Sequence, residues 1–166
     1  MVSVTTGTDA YQVAAQVVDP ELRVVTIADL GILRAVDTDG DRAVATITPT
    51  YSGCPAMDVI RAEVAAALRT AGWAEVEVVT QLHPAWSTDW ITDTGRRKLA
   101  AAGIAPPGPA RTVSLGLPAS RPPDQVACPR CGSTATDELS RFGSTPCKAL
   151  WRCDGCGDPF EHVKSF

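Results

Sequence analysis

The chain has 166 residues, a net charge of −4, 45% hydrophobic and 20% charged side chains. That balance excludes a wholly disordered chain, and no apolar run approaches the roughly 20 residues of a membrane-spanning helix. The mild acidity offers no general attraction to nucleic acid or acidic membranes. The opening MVSVTTGTDAYQ lacks the basic and apolar regions of a secretory signal, so a cytoplasmic protein is expected.

Tyr11, Ala14, Ala15 and Val18 fall at helical spacing and predict a first helix, which Pro20 helps to end. A strand is expected over Ile32–Val36, then a turn at Asp39-Gly40 and a returning strand over Ala43–Thr48. From Ala56 to Ala71, the residues Met57, Ile60, Val64, Ala67, Leu68 and Ala71 form the apolar stripe of a long helix, with Gly72 placed to close it. A third strand is expected over Glu75–Gln81 and a last helix over Asp93–Ala102. The order α-β-β-α-β-α implies an α+β domain: a small mixed three-stranded sheet with helices on one face.

Six of the 13 prolines lie between Pro106 and Pro123. Proline fixes φ and removes a donor, so this stretch reads as a semi-extended linker, with a short edge strand at Thr112–Leu117. The expected organisation is a first domain over 1–105, a linker over 106–127 and a tail over 128–166. The first segment carries 8 basic and 13 acidic residues, whereas the tail carries 5 of each.

Five of the six cysteines lie in that tail. Cys128 and Cys131 form one C-x-x-C-G knuckle, and Cys153 and Cys156 form another, 21 residues further on. Two such pairs fit one tetrahedral metal, and 39 residues hold too little core to fold unaided. The reading is a rubredoxin-like zinc ribbon holding structural Zn²⁺ through Cys128, Cys131, Cys153 and Cys156. An iron–sulfur cluster in place of zinc is the alternative. Cys147 reads first as a spare buried thiol and second as an extra ligand.

Cys54 stands alone, in Thr48-Pro49-Thr50-Tyr51-Ser52-Gly53-Cys54-Pro55. With Pro55 opening the next helix, Cys54 is expected at its N-cap, where N–H groups and the helix dipole lower a thiol pKa. It is either a reactive thiolate or transient metal ligand, or a small residue at a tight turn. His83 offers a base, but no oxyanion or orienting motif accompanies the pair, which disfavours a hydrolase. Asp19, Glu21 and Asp29 group three carboxylates in Asp19-Pro20-Glu21 and Asp29-Leu30-Gly31, and turn-making is favoured over chemistry for them. Trp86 and Trp90 flank Ser87-Thr88-Asp89 and either clamp a loop to the core or form a contact surface.

These motifs, over roughly residues 8–105, resemble the SufT-like iron–sulfur assembly domains, also called the MIP-eighteen family. With the C-terminal knuckles and Phe142-Gly143-Ser144-Thr145-Pro146-Cys147 added, the whole chain resembles the D-subunit family of bacterial phenylacetyl-CoA epoxidase systems. The resemblance implies a maturation factor rather than a catalyst, delivering iron or an iron–sulfur cluster. Cys54 would match the family's loop cysteine, and Asp19, Glu21 and Asp29 its acidic motifs. The implied partners are the reductase or di-iron oxygenase components, with a homodimer left open. A structural component of the oxygenase and a nucleic-acid-binding ribbon are the rivals. The balanced tail charge speaks against the second.

Overall fold

A computed structural model describes residues 9–109 and 125–165. The expected edge strand at Thr112–Leu117 lies outside the described residues. By contacts the chain divides into two units, Met1–Trp86 with Trp90–Thr92, and Ser87–Asp89 with Asp93–Phe166.

The first unit opens with helix α1 (Ala10–Ala15), whose N-cap Asp9 accepts the N–H of Tyr11 at 3.0 Å. The apolar face expected through Val18 stops short. Val18 instead bridges to Thr26 and closes an irregular loop around Asp19-Pro20-Glu21. Strand β1 (Leu33–Asp39) and strand β2 (Arg42–Ile47) form the expected hairpin, with Gly40 at φ +59° in its two-residue turn. Helix α2 (Ala56–Thr70) crosses to strand β3 (Glu75–Thr80), which runs parallel to β2. The sheet order is β1-β2-β3.

Ala43, Ala45 and Ile47 alternate onto one face of β2 and are buried, while Met57, Ile60, Val64 and Leu68 form the buried stripe of α2. Each Ile or Leu taken fully out of water contributes about 1.5–3 kcal/mol, so this aliphatic core is the main apolar contribution to the unit's stability. Of the expected stripe, Ala67 is only partly buried, and Ala71 is exposed because the helix ends at Thr70 and Ala71 is its C-cap.

The second unit contains helix α3 (Asp93–Ala101) and strands β4 (Ile104–Ala105), β5 (Thr136–Ser140), β6 (Lys148–Cys153) and β7 (Pro159–Val163). The sheet order is β4-β7-β6-β5, with β4 parallel to β7 and the other pairs antiparallel. The last helix, expected with the first domain, groups instead with the ribbon. The reason is local. Ala105 pairs with His162 and joins Val126, Cys128, Ala149, Trp151, Cys153 and Phe160 in one core cluster. Arg96 of α3 donates to the carbonyls of Thr88 and Pro107, tying the start and the end of this segment together. Between the knuckles run two short strands, β5 and β6, and His162 is the buried β7 residue stacked edge-on to Trp151.

Among the described residues no helix is long and apolar enough to cross a membrane.

Candidate functional site

Two cysteine sites occupy separate units. The first is the loop between β2 and α2, at the C-terminal end of the parallel pair. Gln81 N–H donates to Ile47 O at 2.8 Å, so the chain leaving β3 lies beside the chain leaving β2. The loop turns at Gly53, φ +81°, and α2 begins at Ala56 with Pro55 as its N-cap. Cys54 therefore stands one residue before the cap rather than on it. Its thiol is half-buried, and burial pushes its pKa above the ordinary value. The Ala56 N–H and the Thr50 and Tyr51 side chains pull the other way, and the charge of Glu21 adds to the rise. The lowered pKa expected from helix-cap logic is corrected here: one N–H at a helix start does not offset burial together with a nearby carboxylate.

The structure thus brings Glu21 to Cys54 across 33 residues of sequence, a juxtaposition that spacing alone does not contain. Thr50 and Tyr51 also reach the thiol, and their signal in the sequence is only their place in the same tight loop.

Asp19 and Asp29 are buried and act on backbone. Asp19 Oδ1 accepts the N–H groups of Glu21 and Leu22 at 2.9 and 2.8 Å, and so sets the turn that presents Glu21. Asp29 Oδ2 accepts Thr26 N–H at 3.0 Å, and Thr26 Oγ1 accepts Asp29 N–H at 3.1 Å. The two tryptophans clamp this second motif. Buried Trp86 donates Nε1–H to Leu30 O at 2.8 Å, and Thr92 N–H donates to Asp29 O at 2.9 Å. Trp90 lies under the Arg34 guanidinium, 3.7 Å from its ring centroid. Gly31, φ +70°, passes so close to Trp90 that a Cβ there would lie 2.6 Å from the Trp90 Cβ.

The second site is the ribbon. The sulfurs of Cys128, Cys131, Cys153 and Cys156 all lie within 4.8 Å of one another. Cys128–Cys156 and Cys131–Cys153 approach to 3.8 and 3.5 Å. A tetrahedral zinc with Zn–S near 2.3 Å needs sulfurs about 3.8 Å apart, so the donor set fits that ion. The knuckles repeat one backbone pattern. Gly132 N–H donates to Cys128 O and Gly157 N–H to Cys153 O, while Cys128 N–H and Cys153 N–H donate to Ser133 O and Asp158 O. Gly132 at φ +74° and Gly157 at φ +80° allow that turn.

Crowding splits the acidities of the thiols. The Cys156 N–H, pointing at Cys153 Sγ, lowers that pKa to about 7. The Asp158 N–H lowers Cys156, but desolvation and the neighbouring sulfurs outweigh it and push Cys156 up to about 12. A dication among four thiolates removes that conflict. Cys147 is outside this converging group. It is buried at the entry to β6, with Thr145 Oγ1 at 3.1 Å from its sulfur.

This pairing of a small mixed sheet carrying a cysteine loop with a four-thiol ribbon is matched by two family models. Residues 9–80 match "Iron-sulfur cluster assembly protein", and residues 117–164 match "PaaD zinc beta ribbon domain". The fold and site define an iron–sulfur assembly domain joined to a zinc ribbon. The chain is 45% identical over 156 residues to an Escherichia coli (strain K12) protein named as the putative D component of 1,2-phenylacetyl-CoA epoxidase, covering 94% of this chain and 91% of that one. The chain belongs to the PaaD family.

Over 79 residues it is also 43% identical to the "Fe-S protein maturation auxiliary factor YitW" of Bacillus subtilis (strain 168), covering 47% of this chain and 74% of that one. A crystal structure of a DUF59 domain from Bacillus anthracis superposes with a TM-score of 0.51 at 33% identity, covering 54% of this chain and 87% of that one.

Proposed function

We propose that the protein is an accessory factor that delivers iron or an iron–sulfur cluster to a component of a phenylacetyl-CoA monooxygenase, with Cys54 as the transfer thiol. The observation that carries the reading is the Cys54 loop. A half-buried thiol, within reach of the Glu21 charge, stands at the end of the parallel strands of an assembly-type domain. Thiolate is a soft ligand suited to iron–sulfur chemistry. A raised pKa keeps the sulfur protonated and quiet until a cationic metal displaces the proton. The iron or cluster is cargo in this scheme, whereas zinc in the ribbon is structural, held by Cys128, Cys131, Cys153 and Cys156. Glu21 is proposed to tune the thiol, while Asp19 and Asp29 hold the loops that present it. The relation to a protein named as an epoxidase component supports an accessory role and points to the oxygenase or reductase component as client.

The test is anaerobic co-purification with each component, with iron, sulfide and zinc measured on both proteins. Wild type is expected to raise the client's iron content, and Cys54→Ser to abolish that rise while keeping its own zinc. Fully metallated client made without this protein refutes delivery. The relative's name also favours a second reading, a stable part of the oxygenase complex. Stoichiometric co-purification with active enzyme, unaffected by Cys54→Ser, would select it.

A further inference from the structure

We infer that the ribbon is a site of oxidative modification: a hydroperoxide such as hydrogen peroxide converts its four thiolates to two disulfides, Cys128–Cys156 and Cys131–Cys153, and frees the zinc. This is separate from the delivery reading and rests only on zinc in the ribbon.

Exposure and distance together single out these bonds. Cys131 and Cys156 are exposed, whereas Cys128 and Cys153 are buried. Each exposed sulfur has a buried sulfur of the opposite knuckle beside it. Cys156 Sγ lies 3.8 Å from Cys128 Sγ, and Cys131 Sγ lies 3.5 Å from Cys153 Sγ. An accessible thiolate with a second cysteine poised to resolve it is the arrangement of oxidant-sensing sites. A bound zinc keeps its sulfurs deprotonated, and the thiolate is the nucleophile.

Four cysteines allow three pairings, and the fold favours this one. Asp154 N–H donates to Ala135 O at 2.9 Å, and Arg130 Nε meets Asp158 Oδ2 at 2.9 Å, so the two knuckles are fastened to each other. A Cβ on Gly155 would stand 3.1 Å from Ser133 Cβ and 3.5 Å from Cys153 Sγ, so the second knuckle lies directly against the first. The facing sulfurs then need to close only to about 2.05 Å. Bonds between the knuckles also replace the link that the ion made, and so hold the oxidised ribbon in register for reduction and refilling. Disulfides within each knuckle would leave the two unlinked. Cys147 lies outside the converging group and takes no part.

The exposed thiolate attacks one peroxide oxygen. An S–O bond forms, the O–O bond breaks and hydroxide leaves. The buried thiolate of the pair attacks that sulfur in turn. The S–S bond forms, the S–O bond breaks and a second hydroxide leaves. Each disulfide thus gives two electrons from sulfur to one peroxide. With both pairs closed, the four sulfurs have lost their charge and Zn²⁺ departs.

The test treats the zinc-loaded full chain with hydrogen peroxide and follows released zinc with a chromogenic chelator. Disulfides are mapped by mass spectrometry after acid quench and alkylation. Cleavage after Arg130 and before Asp154 puts the four cysteines on separate peptides. About one zinc is expected per four thiols lost, with Cys128 joined to Cys156 and Cys131 to Cys153. A dithiol reductant with added zinc should restore the metal, and Cys147→Ser should release zinc at the wild-type rate. Pairing within each knuckle, or a disulfide to Cys147, overturns the inference. So does zinc retained under peroxide that fully oxidises free cysteine, and so does release that is equally fast without peroxide. A chain that purifies without zinc removes the structural-zinc reading and this one together, and leaves delivery through Cys54 standing.

Discussion

The two units reach stability by different routes. The first buries a continuous aliphatic core, with Ile47, Ile60, Val64 and Leu68 all completely enclosed. Among the described residues the second unit has a core cluster of seven residues, two of them the knuckle cysteines Cys128 and Cys153. So small a core makes a metal held by those sulfurs the expected source of its remaining stability. The cysteines differ in the same sense. Four in the ribbon converge on one point, whereas Cys54 stands alone with its thiol kept protonated by burial. The first unit is expected to keep its fold without metal, and the ribbon to lose its fold.

The sharpest way to break that contrast is to remove the ribbon metal. Structural zinc contributes about 10–16 kcal/mol in small domains. Chelation, or Cys153→Ser, is therefore expected to unfold β5–β7 while β1–β3 persist. Hydrogen exchange resolved by segment reads this directly, and uniform protection in both units would contradict it. The converse experiment truncates the first core. Leu68→Ala should cost about 2–5 kcal/mol in denaturant unfolding of the first unit with zinc stoichiometry unchanged.

A smaller effect, about 1–3 kcal/mol, is expected for Gly31→Ala, because φ is +70° and the new Cβ would stand 2.7 Å from the Trp90 carbonyl oxygen. Thermal unfolding and the Trp86 and Trp90 emission report it together.

Acid should act on the ribbon through Glu161. Burial alone would raise its pKa, but hydrogen bonds from Lys148 and Ser144 outweigh burial and hold the carboxyl below the ordinary value. Its contribution is therefore present above the unfolded pKa, and is lost as pH falls through the lower folded one. Lys148→Met should flatten that part of the stability–pH curve without changing zinc content at neutral pH.

The smallest expected effect is at Cys54. Alkylation near neutral pH should be slower than for an exposed thiol, mainly through burial, and Glu21→Gln should accelerate it modestly by removing a charge that adds to the rise.

Much of the molecule is legible in its sequence. The helix over Ala56–Thr70, the Asp39-Gly40 hairpin, the strand over Glu75–Thr80 and the convergence of the four ribbon cysteines all follow from local periodicity, turn chemistry or spacing. Three features do not follow. The two-residue strand Ile104–Ala105 is too short to carry a pattern, and pairing with β7 alone makes it a strand. The Cys54 thiol reads as acidified, since cap logic counts N–H groups but not burial. The Asp29-Leu30-Gly31 turn and the two tryptophans look independent in sequence, and they are one clamp because Trp86 reaches Leu30 across 56 residues.

The sequence by itself determined the main element types, the paired knuckles and the cysteine loop, because each depends on residues within a few positions of one another. Tertiary structure alone decided which unit owns α3 and β4, which carboxylate meets Cys54, and which way its pKa moves. Those depend on burial and on charges brought together by folding, and neither quantity exists until distant segments pack.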